Sequence, residues 1–159
     1  ADLDPEGDEY FSLSVSSASA SVATPSVTGT IGDDDGPTGF YTISPCRLLD
    51  TRLHGWPVPG GAFRAFPAGN VCGIPVDAEA VVVNVTVVGP THLGHVNVSP
   101  FGAAPTPTSA VNFGPGAVKG AGPLVVTLGE DGRLAVHCVM PPGSAGATHV
   151  VVDAAGYFK

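Results

Sequence analysis

The sequence predicts an all-β protein, a β-sandwich of Ig-like or jelly-roll-like architecture with an extended N-terminal strand. Three observations predict it. Gly and Pro occupy 22 and 16 of the 159 positions, too many for helix interiors. Valine fills 23 positions, many of them in short runs with the period of two that marks half-buried strands. Those runs are short and separated by Gly, Pro and Asn clusters, the spacing of a sandwich or barrel. With 43% hydrophobic and 13% charged residues, the chain is too apolar to stay disordered.

The elements follow in order. Residues 10–16 (Tyr-Phe-Ser-Leu-Ser-Val-Ser) alternate apolar and hydroxyl side chains, and the alternation resumes over 18–22 after a slip of one residue at Ser16-Ser17. This reads as one strand with a bulge, about 40 Å long over residues 10–22. A short extended stretch at 26–31 completes an arm, residues 1–31. Residues 32–38, which contain Gly32-Asp33-Asp34-Asp35-Gly36-Pro37, form an acidic linker that breaks any pattern. The β-sandwich domain then occupies 39–159, with strands expected at 40–44, 47–52, 63–66, 79–88, 93–99, 109–113, 124–128, 133–139 and from 149 toward 158. The clearest run places Val81, Val83, Val85 and Val87 on one face. Gly129-Glu130-Asp131-Gly132 supplies glycines for positive φ between two of these strands and predicts a hairpin. No internal repeat of 20–50 residues is visible, which argues against a solenoid.

Charge divides the chain the same way. Residues 1–35 hold eight acids and no Lys or Arg, whereas 36–159 hold six acids and all six bases, so the net charge of −8 sits on the N-terminal arm together with its linker. The six bases are scattered, which excludes the clustered Lys and Arg that a nucleic-acid binder needs. A membrane-spanning helix needs about 20 consecutive apolar residues, and the best run, starting at Ala80, is interrupted by Asn84 and Thr86. The opening Ala1-Asp2-Leu3-Asp4-Pro5 has neither the positive nor the apolar region of a signal peptide.

Five segments of the body carry a joint resemblance: Ser44-Pro45-Cys46-Arg47-Leu48-Leu49-Asp50-Thr51-Arg52, Cys72-Gly73-Ile74-Pro75, the run from Ala80 to Val88, Ser109-Ala110-Val111-Asn112-Phe113, and the run from Thr148 to Phe158. In that order they resemble a module of secreted, often multidomain, bacterial surface proteins, over roughly residues 40–158. The resemblance implies an all-β extracellular module without established catalytic residues. Cys46 and Cys72 belong to the shared pattern and open strand-like segments, so a Cys46–Cys72 disulfide is expected. Cys138 departs from the pattern. It is either a buried thiol acting as a small hydrophobe or a bridge to another subunit.

Asp50 and Arg52 lie two apart, which on an extended segment turns both to one face. They form either a ligand-binding pair or a structural ion pair, and the structural reading is preferred because no neighbouring acid, base or nucleophile completes a catalytic set. Five histidines (His54, His92, His95, His137, His149) invite a metal, yet only His92 and His95 are close, and three apart they face opposite sides of a strand; no metal site is expected. Asp33-Asp34-Asp35 lacks the alternation of a calcium loop. The sequons Asn84-Val85-Thr86 and Asn97-Val98-Ser99 lie inside expected strands, where hydrogen-bonded asparagines are the better reading. No nucleophile elbow, P-loop or dinucleotide fingerprint is present, so neither an enzyme nor a cofactor is expected.

The arm's apolar row, Phe11, Leu13, Val15, then Ala18, Ala20 and Val22, must add to a sheet, because a lone strand leaves its amides unpaired and its apolar face wet. It adds either to its own domain or, resembling a pilin-type donor strand, to a neighbouring copy. Head-to-tail addition does not close and builds a filament. The expectation is a structural subunit of an extracellular, cell-surface homopolymer, a pilus-like appendage formed by donor-strand complementation. The alternative is a monomeric cell-surface module for adhesion or carbohydrate binding, with surface glycans or other cells as partners and Trp56 as a loop platform.

Overall fold

The computed structural model describes residues 9–15, 19, 26–31, 39–53 and 55–159. They divide into two compact units, Ala1–Thr38 and Gly39–Lys159.

In the first unit, β1 (Glu9–Ser14) and β2 (Ser26–Ile31) form a two-stranded antiparallel sheet, in register from Glu9 opposite Ile31 to Ser14 opposite Ser26. The expected single strand over 10–22 is thereby corrected. β1 ends at Ser14, and Val15 and Ser19 lie outside any strand. The physical reason is the ladder: β1 takes its backbone partners from residues 26–31, and six residues are all that this partner can satisfy.

The second unit contains β3 (Phe40–Asp50), β4 (Val58–Pro59), β5 (Phe63–Pro67), β6 (Ala80–Val88), β7 (Gly94–Pro100), β8 (Val111–Phe113), β9 (Val118–Thr127), β10 (Arg133–Val139) and β11 (Ala147–Phe158). One sheet runs β3-β11-β6-β9, with β4 pairing to the beginning of β11. The other runs β5-β10-β7-β8. All ladders are antiparallel. The result is an all-β sandwich.

The core follows from the alternation. Val81, Val83, Val85 and Val87 of β6 are fully buried, as are Val150 and Val152 of β11. From the facing sheet they meet Leu134, Val136 and Cys138 of β10 and Val96 of β7. A sheet has two faces, and on β6 the second carries the exposed Asn84 and the half-buried Thr86. β11 is central in its sheet, and there Val151 on the other face is also buried. Its valine run gives way to Ala154-Ala155-Gly156 where the register shifts against both β3 and β6. Small residues fit that bulge, because a Cβ at Gly156 would run into the Phe40 ring.

Three local expectations are revised. Pro45 does not end a strand: β3 continues through it, as an edge strand tolerates a residue without an N–H donor. β9 begins at Val118 rather than 124, its early half masked by Gly120 and Gly122. The turn at 129–132 is not a hairpin. Asp131 and Gly132 adopt left-handed φ of 55° and 66°, but β9 pairs with β6 while β10 pairs with β5 and β7, so the turn is a corner that carries the chain from one sheet to the other. The corner packs so closely on the end of β7 that a Cβ at Gly129 would overlap the Phe101 backbone.

Cys46 of β3 is bonded to Cys72 in the loop after β5, with a sequence separation of 26. The loop is tied down elsewhere by Ala68 and Gly69 N–H groups donating to the Gly132 carbonyl and by the fully buried Ile74. Closing a loop of this length contributes about 3 kcal/mol in the chain-entropy picture. The Cys46→Ala/Cys72→Ala variant is therefore expected to lose about 3 kcal/mol in a denaturant titration, and the oxidised wild-type protein to lose the same amount when reductant is added.

Candidate functional site

Two sets of residues stand out from the framework: the N-terminal hairpin and a charged cluster on β3 and β11. The hairpin is amphipathic by register. Phe11 lies opposite Gly29 and Leu13 opposite Val27, which puts Phe11, Leu13 and Val27 on one face; Ser12 lies opposite Thr28 and Ser14 opposite Ser26, which makes the other face one of hydroxyls. The Phe11 ring covers Gly29, where a Cβ would overlap it. Phe11, Leu13, Val15 and Val27 are 55–60% exposed. Of the expected row, Phe11 and Leu13 are in β1 and Val15 follows it; Ala18, Ala20 and Val22 lie outside the described residues.

Asp50 ends β3 and is 6% exposed. The chain then turns, with the Leu53 N–H donating to the Asp50 carbonyl. Asp50 and Arg52 meet through this turn rather than along an extended strand: the Arg52 backbone N–H donates to Asp50 Oδ1 (3.1 Å), and its guanidinium donates to both carboxylate oxygens (2.9 and 2.6 Å). Arg47, three residues earlier, donates to Asp50 Oδ2 at 2.9 Å and makes a two-pronged contact with Asp153 of β11 at 2.7 and 3.2 Å. Two guanidinium groups and two carboxylates thus lock the end of β3 onto β11.

Thr51 extends the lock. Its N–H donates to the Val150 carbonyl, its hydroxyl accepts from the Val150 N–H at 2.9 Å, and the same hydroxyl lies 3.1 Å from His149 Nδ1. Hydrogen bonds from Arg52, then those from Arg47, hold the Asp50 carboxyl well below the usual carboxylate range. The cluster is internally neutral and each carboxylate is claimed by an arginine, so its chemistry is that of a structural clasp. The spacing of Asp50 and Arg52 pointed to half of it. Arg47 carried a signal, being three residues from Asp50, whereas Asp153 is 106 residues away from Arg47 and had none.

The other candidates resolve as follows. Cys138 is 1% exposed among core valines, and burial pushes its thiol up to about 11, so in the folded domain it is a packed hydrophobe rather than a bridge to another subunit. His92 lies in the bend before β7, bonded to Thr91, and His95 is in β7; His149 contacts Thr51 and His137 contacts Ser99. His54 lies outside the described residues. Among the described residues no three His, Cys, Asp or Glu side chains gather as metal ligands. Asn97 is 2% exposed, with its amide donating to the carbonyl and hydroxyl oxygens of Thr106 and Thr108, which makes it inaccessible to a glycan, whereas Asn84 is exposed. Trp56 is 66% exposed, with the Arg64 guanidinium 6.0 Å from its ring centre. No helix among the described residues is long and apolar enough to cross a membrane.

No family model matches the chain, and no curated protein matches it. Among solved structures it is similar to the coat protein of Tobacco streak virus, with 12% identity and a TM-score of 0.33, over 73% of this chain and 85% of that one.

The clasp yields a pH prediction. Asp50 has a folded pKa below its ordinary value of 3.8, so its stabilisation is complete above that value and is lost as the pH falls through and below it. Asp50→Asn is expected to cost about 1–2 kcal/mol at neutral pH, because it removes the charge-assisted hydrogen bonds that the half-exposed Arg52 and Arg47 make to a buried carboxylate. It should also flatten the pH dependence of stability between about pH 4 and pH 2, measured by urea denaturation across that range.

Proposed function

We propose that this protein is a structural subunit of an extracellular, pilus-like filament in which the N-terminal hairpin of one copy adds to the sheet of the next. The observation that carries the reading is the apolar face of the hairpin. Phe11, Leu13, Val15 and Val27 each leave more than half of their surface in water. An isolated two-stranded hairpin is marginal in water, and its two outer edges still carry unpaired N–H and C=O groups. A neighbouring sheet satisfies both needs at once, and because donor and acceptor are different surfaces, the contact propagates head to tail.

The donor is a ribbon rather than a single long strand. The acceptor need not be an incomplete fold, since the body's own strands already bury Val81, Val83, Val85, Val87, Val150 and Val152 completely. Addition at an edge is the form that fits. β9 is a suitable edge: it pairs on one side only, Val118 and Val125 are 71% and 62% exposed, and Lys119 complements an arm and linker that together hold eight acids and no bases. Its Pro123 limits pairing to the stretch before it. The Cys46–Cys72 disulfide suits an oxidising compartment outside the cytoplasm. The protein has no catalytic role in this reading.

Negative-stain microscopy and size-exclusion chromatography test it. The full chain is expected to form filaments, and deletion of residues 1–31, or Phe11→Asp with Leu13→Asp, to give folded monomers. A full chain that stays monomeric at high concentration, while the amides of β1 and β2 are protected from hydrogen exchange, would sink the filament and leave a monomeric surface module.

A further inference from the structure

Beyond assembly, the outer face of the four-stranded sheet carries a feature that neither the hairpin nor the clasp uses. The register of β5, β10 and β7 aligns Phe63, His137 and Asn97 in one row and Ala65, Ala135 and Ser99 in the next. The Phe63 and His137 rings stand beside the smaller Ala135 and Ser99, which are 2% and 1% exposed, and Ala135 lies at the floor of a cleft. The segment after β7 forms its far wall, so that Phe63, Ala135, His137, Phe101, Ala103 and Pro105 line an open cleft of about 400 Å³. That volume lies in the range of small-molecule sites.

Both walls are tied to the sheet by side-chain and backbone contacts. Phe101 exchanges backbone hydrogen bonds with Arg133 and Glu130, and its ring lies under the Arg133 guanidinium at 4.4 Å. Further along the same segment, the buried Asn97 amide grips Thr106 and Thr108 at 2.7–3.3 Å. On the other side, the Phe63 and His137 rings pack at 5.3 Å with a 32° tilt. His137 Nε2 contacts the hydroxyl of Ser99, a residue only 1% exposed, at 3.2 Å. Ser99 is thus too deep to act as a nucleophile. It fixes the imidazole, and Nδ1 is the ring nitrogen left for a ligand.

We infer that this cleft binds a small neutral aromatic molecule carrying one hydroxyl group, a phenol. The walls supply two aromatic rings and apolar surface, and the lining contains one polar side chain, His137. Burial lowers the pKa of that imidazole, which keeps it uncharged near neutral pH and able to exchange one hydrogen bond with a hydroxyl. A carboxylate ligand would find no cation in the lining, since Arg133 is turned onto Phe101. A sugar would bring several hydroxyls to a single polar partner and leave the rest unpaired.

The test is NMR titration of the full chain with p-cresol, following the His137 imidazole and the Phe63 ring, with N-acetylglucosamine and benzoate as comparison ligands. Saturable shifts confined to the cleft are expected for p-cresol alone. Phe63→Ala, a change at an exposed ring, should weaken binding about tenfold, and Ala135→Leu, which fills the cleft, should abolish it. Absence of saturation with p-cresol, or shifts that survive in both variants, would overturn the site. Tighter binding of the sugar or of benzoate would overturn the ligand class.

Discussion

The sandwich depends on one strand, β11. It pairs along its length with β6 and with β3 and β4 on its other side, so every change in its register moves both neighbours. Its valines at 150 and 152 are wholly buried and Val151 nearly so. Around Val150–Val152 both faces are buried, and a slip of one residue would still bury valine there, so this run by itself specifies register weakly. Polar contacts supply what the apolar run lacks. Arg47 reaches Asp153, and Thr51 exchanges hydrogen bonds with Val150, and both contacts fail if β3 slides along β11. The clasp around Asp50, a buried carboxylate held by two half-exposed arginines, thus acts as a register lock between β3 and β11.

The same division of labour recurs in the facing sheet. Leu134, Val136 and Cys138 of β10 supply the apolar burial, while Asn97 and Ser99 on the outer face of β7 supply position. Asn97 is costly to bury, and its Oδ1 has no protein partner. Its amide nitrogen nevertheless meets four oxygens of Thr106 and Thr108, which pins the long segment after β7 against the sheet. Polar side chains buried on the outer face of a sheet are informative because nothing in core packing requires them there. Here they shape a cleft wall.

Legibility in the sequence followed the range of the interaction. The valines of β6 were readable because a period of two is written into nine consecutive residues and needs no knowledge of partners. The sandwich class followed from the same local signals. The turn at 129–132 is ambiguous in sequence because Asp131 and Gly132 specify only a sharp reversal of the backbone; whether the chain returns beside the strand it left or crosses to the other sheet is decided by Gly129 packing on Phe101 and by ladders elsewhere. In the arm, the alternation through Val22 was real but insufficient, since a strand ends where its partner ends, and the partner at 26–31 is six residues long. Asp50 and Arg52 were found by spacing, although a turn and not an extended strand unites them. The cleft was beyond reach, because Phe63, His137 and Ser99 become neighbours only through the registers of three strands.

The distribution of charge bears on how copies would meet in the proposed filament. With all of the net charge of −8 on residues 1–35, two arms repel each other, whereas an arm and a neutral body do not. Under the proposed function the apolar ribbon could be covered by another ribbon or by a sandwich, and electrostatics would separate the two. Ribbon-to-ribbon contact would be symmetric and would close as a pair; ribbon-to-body contact is asymmetric and continues. The repulsion acts over a Debye length of about 8 Å at physiological ionic strength, enough to oppose contact between arms without reaching across the body. In the proposed filament, acids placed beside the apolar row would thus favour the open, repeating contact over a closed pair of arms, without any residue in the sandwich itself having to discriminate.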